Sequence, residues 1–141
     1  MSADYKALLM RIVDEAWNKG ELDVLDETLA ENFVMHDLVM PDIKGPPGYK
    51  KYVIDVRTSY PDFHMTVDEL IQEGDKLAGK LHWEGTQLGA SPGLKVPATG
   101  KKVNVTVAIV SHLANDKVVE QWTFQDWVGI MRQLGLIPQP A

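Results

Sequence analysis

The hydrophobic period of the chain changes once, at Pro61, and that change limits the folds open to it. Before Pro61 apolar residues recur at three- and four-residue spacing; after it they alternate. Tyr5, Leu8, Leu9, Ile12, Val13, Ala16 and Trp17 predict a first helix, with Ser2 as its cap, Asp4 in the first turn and Gly20 as its stop. Leu22, Leu25 and Leu29 mark a short second helix, and Asn32–Asp37 reads as extended. PDIKGPPG reads as a loop. Pro46 or Pro47 opens a third helix with the stripe Tyr49, Tyr52, Val53, Val56 and Tyr60, which Pro61 prevents from continuing.

Strands follow over Phe63–Glu73 and Asp75–Leu88, joined by a hairpin turn at EGDK. A Gly/Pro-rich loop, Gly89–Gly100, leads to a Val-rich strand, Lys102–Leu113. ANDK turns the chain into a last strand, and a brief helix, Gly129–Leu134, ends at Gly135. Helices followed by an antiparallel meander predict an α+β fold with helices on one face of the sheet. Twist curls such a sheet around the helices and leaves a pocket inside. The length of 141 residues fits one domain, and no repeat or linker interrupts it.

The last strand, KVVEQWTFQDW, carries the candidate chemistry. Alternation places Val118, Glu120, Trp122, Phe124 and Asp126 on one face, and Val119, Gln121, Thr123 and Gln125 on the other. A carboxylate beside apolar walls loses solvation and becomes suited to proton transfer. Asp126 is equally a favoured cap for the helix after it.

Composition removes several functions. A net charge of −6 argues against nucleic acid and anionic membrane partners. The chain has no Cys, so thiolate catalysis and Cys-based metal sites are excluded. The four His are scattered without HxxxH or HExxH spacing, and neither GxSxG nor GK[ST] occurs. No apolar run approaches the ~20 residues of a membrane span, and the charged N-terminal stretch has no signal-peptide core, so a cytoplasmic protein is expected.

The stretches AWNKGELDVLDETLAENFVMHD, SYPDFHMTVDELIQEGDKLAGKLHWEGTQLG, VPATGKKV and NDKVVEQWTFQDWVGIMRQLG, in this order, resemble the SnoaL-like polyketide cyclase family of the NTF2-like group. The resemblance implies a cone-shaped curved sheet, a deep apolar cavity and a homodimer or larger assembly. It implies ring closure by intramolecular aldol condensation without metal or organic cofactor. Asp126 matches the family's acid/base Asp, His112 in VSHL its cavity His, and His36 in FVMHD the His after the second helix.

Whether His112 joins Asp126 depends on the turn between their strands. A two-residue loop, Asn115–Asp116, pairs Leu113 with Val118 and puts His112 on the opposite face. A three-residue loop, Ala114–Asp116, pairs Leu113 with Lys117 and puts His112 with Trp122 and Asp126. The resemblance favours the second. The expected site is then Asp126 and His112 as catalytic groups, with His36, Trp122, Phe124, Met35 and Tyr52 binding substrate. Asp37 points away from His36 if the segment is extended. His64 and His82 read as structural or exposed, and Trp83 and Trp127 as packing or interface residues. Val119, Gln121 and Thr123 are the expected contacts across subunits.

Three functions fit these residues: a cyclase acting on an apolar carbonyl compound, a hydrolase or isomerase of the same cone, and a non-catalytic small-molecule-binding domain. The hydrolase arrangement needs an arginine facing Asp126. Arg11, Arg57 and Arg132 are the arginines present, and none sits on a strand.

Overall fold

The structure, a computed structural model, describes residues 4–90 and 96–138. Helix α1 (Tyr5–Arg11) starts at Asp4, whose side chain accepts from the Ala7 N–H at 3.1 Å. Asp4 is therefore the cap; Ser2, expected in that place, lies outside the described residues. The helix continues as a wider π-helical stretch, Ile12–Trp17, in which Ile12, Val13, Ala16 and Trp17 are all buried. Gly20 ends it at φ 73°, a left-handed conformation that suits glycine.

Helix α2 (Val24–Thr28) is shorter than the leucine spacing predicts, because Leu29 already opens strand β1 (Leu29–Asp37). A two-residue strand β2 (Ile43–Lys44) lies in the stretch read as loop and pairs Ile43 with Met35. Helix α3 (Gly45–Ser59) has prolines in its first turn, where the missing N–H costs nothing. Strands β3 (His64–Glu73), β4 (Lys76–Thr86), β5 (Lys102–Ala114) and β6 (Lys117–Gln125) form the antiparallel meander. Helix α4 (Trp127–Gln133) closes the described chain.

The six strands make one curved sheet in the order β2-β1-β6-β5-β4-β3. Strand β1 runs parallel to β6, a pairing the meander alone does not predict. Strand β5 defines inside and outside. Val103, Val105, Val107 and Ile109 are buried on the concave face, while Asn104, Thr106 and Ala108 are exposed on the convex one.

The β5–β6 hairpin settles the orientation of β6. Its turn has two residues, Asn115 and Asp116, both at positive φ (52° and 62°), and Ala114 pairs with Lys117. Leu113 therefore faces Val118, as the shorter loop predicts. The next pair, however, is His112 with Glu120, so Val119 has no partner and forms a β-bulge. One inserted residue turns over every side chain that follows. Ile109 faces Thr123, and Val110 faces Trp122. The concave face of β6 thus carries Gln121, Thr123 and Gln125; the convex face carries Glu120, Trp122 and Phe124.

Two expectations are corrected here. His112 does share a face with Trp122 and Phe124, but that face is convex and looks away from the helices. Gln121 and Thr123, expected to reach across subunits, point inward, and Val119 is the bulge.

Candidate functional site

A cavity of about 60 Å³ lies between the helices and the concave face of the sheet. Its walls are mostly apolar. Leu9, Ile12 and Val13 come from the first helix, Val56 from α3, and Val107 and Ile109 from β5. Aromatic rings close one side: Trp17 lies 5.2 Å from Phe63, and Phe63 stacks on Trp83 at 5.1 Å.

Polar groups enter from two elements. Strand β6 supplies Gln121, Thr123 and Gln125, and α3 supplies Tyr49 and Tyr52, three residues apart and on one helix face. Gln121 donates from Nε2 to the Ser111 hydroxyl at 2.9 Å. Trp17 donates from Nε1 to the Tyr49 hydroxyl oxygen at 2.9 Å. Gln125 Nε2 donates to Asp37 Oδ1 at 3.3 Å and to the Tyr52 hydroxyl oxygen at 3.4 Å. Asp37 Oδ2 accepts from Trp127 Nε1 at 3.2 Å and from the backbone N–H groups of Val39 and Met40 at 2.8 and 3.0 Å.

Burial pushes the Tyr49 phenol up to about 12, against the opposing effect of the Trp17 hydrogen bond. Burial raises Tyr52 as well, helped by the neighbouring Tyr49. Both are neutral donors at physiological pH. Among the described residues, the cavity lining holds no carboxylate, imidazole, ammonium or guanidinium group. Nor does any group of three or more His, Asp or Glu among them stand ready to hold a metal ion.

The structure divides the expected site residues into two sets. Met35 and Tyr52 line the cavity. His36, His112, Trp122 and Phe124 sit on the convex face. There the His36 and His112 rings lie 5.3 and 4.8 Å from the Trp122 ring, and Phe124 is 43% exposed. His36 Nε2 bonds to Glu120 at 2.6 Å and Nδ1 to Asp42 at 3.0 Å, and these carboxylates, Glu120 first, raise its pKa. Asp126 is exposed and caps α4, its Oδ1 accepting from the Gly129 N–H at 2.8 Å. The expected meeting of Asp126, His112, Trp122 and Phe124 in one cavity does not occur: the two-residue turn keeps His112 outward, the Val119 bulge turns Trp122 and Phe124 outward, and Asp126 lies past the end of β6 as the α4 cap.

Trp83 and Trp127, read as packing residues, are buried and also line the cavity. His82 pairs with Asp68 at 2.8 Å, and His64 is exposed. The sequence assigned Gln121 and Thr123 to a contact across subunits and Tyr49 to a helical stripe, and left Gln125 without a site role. The alternation Gln-x-Thr-x-Gln reads as the outer face of the strand, and here it faces a cavity. Asp37 was legible as opposite in direction to His36, but its partners Gln125 and Trp127 were not.

The family model described as SnoaL-like polyketide cyclase matches residues 7–134, and the chain belongs to that family. Aklanonic acid methyl ester cyclase DnrD of Streptomyces peucetius is 24% identical over 130 residues, covering 90% of this chain and 88% of that protein. The structure of a protein described as a SnoaL-like polyketide cyclase from Jannaschia sp. CCS1 matches with a TM-score of 0.85 at 24% identity, covering 97% of this chain and 95% of the other. TsrD from Streptomyces laurentii matches with a TM-score of 0.84 at 25% identity, over 94% and 96% of the two chains. The fold is the NTF2-like α+β arrangement of this family, a curved, unclosed sheet holding N-terminal helices.

Proposed function

We propose that this protein closes a ring in a mostly apolar, polyketide-like carbonyl compound by an intramolecular aldol condensation. The observation that carries the reading is the polar arc on the concave face of β6, set in an apolar cavity and tied to a carboxylate, Asp37. Among the described residues, Asp37 is the carboxylate that hydrogen-bonds to cavity-lining side chains, Gln125 and Trp127. Three donors surround Oδ2, whereas Oδ1 takes one at 3.3 Å and keeps room for a proton.

The steps balance without a co-reactant. Asp37, set beside the cavity-lining Thr123 on the concave face, takes a proton from the carbon next to a carbonyl of a ligand that reaches past the lining. The C–H electron pair forms the C=C bond of an enolate, and the carbonyl π pair moves to oxygen. The enolate carbon then attacks a second carbonyl, forming the C–C bond, and the new alkoxide takes the proton back from Asp37. Apolar walls hold the substrate folded so that the two carbons meet.

The family resemblance assigns the acid/base role to Asp126 instead, and one assay separates the two carboxylates. The substrate is aklanonic acid methyl ester, chosen from the name of the relative DnrD. Asp37→Asn is expected to lower turnover by ~10²–10⁴-fold, the range for one general acid–base group. Asp126→Asn is expected to stay active, because Asn caps a helix about as well as Asp. The opposite pattern returns the role to Asp126. Binding without turnover by the wild-type protein would make it a small-molecule-binding domain.

A further inference from the structure

Among the described residues, the phenols of Tyr49 and Tyr52 each hold a donor with no acceptor. Trp17 Nε1 can only donate, so the Tyr49 oxygen accepts, and its own O–H must point elsewhere. The Tyr52 case is set by Asp37. A deprotonated carboxylate only accepts, so Gln125 must present its NH2 group to Asp37 rather than its carbonyl oxygen. The same nitrogen also reaches the Tyr52 oxygen, which therefore accepts. Among the described residues, neither phenolic hydrogen finds a partner, and both side chains line the cavity. Tyr49 is buried and Tyr52 half-buried, and donors in such places are ordinarily satisfied, so two on one apolar cavity point to a missing acceptor.

We propose that Tyr49 and Tyr52 form an oxyanion-binding pair that receives an enolate, phenolate or polarised carbonyl oxygen of the ligand. The inference deepens the cyclase reading and names the group that would hold the enolate oxygen. Geometry fits that use: Tyr52 and Asp37 share the Gln125 amide nitrogen, so a proton acceptor and an oxyanion donor stand side by side. Burial supports it too, because both phenols stay protonated through the neutral range and remain donors. Fixed donors in a dry cavity stabilise developing negative charge without reorganising.

The test needs no turnover. Two single-ring probes of similar shape are titrated: 4-nitrophenol at a pH where it is ionised, and 4-nitrotoluene, which has no oxygen at that position. Tyr52→Phe and Tyr49→Phe keep ring volume, and their melting temperatures are measured alongside. The wild-type protein is expected to bind nitrophenolate. Each variant is expected to lose roughly 10- to 100-fold of that affinity, as for one hydrogen bond to a charged group. Affinity for 4-nitrotoluene is expected to stay within about twofold in a well-packed cavity. Failure of the wild-type protein to bind nitrophenolate overturns the proposal. So does nitrophenolate affinity unchanged in both variants, or a parallel loss of both probes. Loss of nitrophenolate binding together with an Asp37→Asn variant of unaltered turnover would keep the oxyanion site and reject Asp37 as the base.

Discussion

The two faces of β6 invert the usual reading of residue type. The concave face, toward the cavity, carries Gln121, Thr123 and Gln125; the convex face carries Trp122 and Phe124. Large aromatics stand outside and amides inside. The inner amides are tolerable because each has a fixed partner: Ser111 for Gln121, and Asp37 with Tyr52 for Gln125. Trp122 is partly covered by the His36 and His112 rings, while Phe124 keeps 43% of its surface exposed. Inside here is a matter of register and not of hydrophobicity.

The largest expected effect lies on the concave face. Ile109→Ala, on the concave side of the neighbouring strand, should cost ~2–5 kcal/mol in urea denaturation. Its convex counterpart, Phe124→Ser, should stay within ~0.5 kcal/mol; equal costs would contradict the assignment of faces.

The cap gives a smaller signal. Asp126→Ala removes the acceptor for the Gly129 N–H and should cost about 1 kcal/mol, while Asp126→Asn should leave the melting temperature nearly unchanged. The smallest effect belongs to His36. Its pKa is raised, chiefly by Glu120 and then by Asp42. A raised native pKa gives stability that is complete below the unfolded value of 6.5 and is lost as pH rises through the native value. The melting-temperature gap between wild type and His36→Gln should therefore be widest near pH 5–6 and close on the alkaline side. A gap that widens with pH would show that His36 is not stabilised by its carboxylates.

The helices, the order of the meander strands and the cavity between them were legible in the chain, because period and turn residues carry them. Pro46 and Pro47 start α3 where expected, and Gly20 ends the first helix. The site was less legible for one local reason. Val118 and Val119 are identical side chains, and nothing in them says that only the first is paired. The bulge is a backbone choice driven by what lies further along, namely placing Gln121 opposite Ser111 and Thr123 opposite Ile109. Without it, Trp122, Phe124 and Asp126 would face the cavity, as the aromatic pattern suggested. The parallel β1–β6 pairing was hidden for a related reason, since it joins segments more than eighty residues apart. It sets Met35 and Asp37 beside Gln121 and Thr123.

The size of the cavity has a kinetic consequence. Sites for drug-sized molecules typically occupy ~300–1,000 Å³, several times the about 60 Å³ here. A fused-ring ligand must therefore meet a widened form of the protein. Its apparent dissociation constant is the intrinsic one divided by the fraction of molecules in that form, so a 1% population weakens binding about a hundredfold. Stopped-flow traces with a multi-ring ligand should then level off at high ligand concentration, at the rate of widening. Single-ring molecules should show rates that keep rising in proportion.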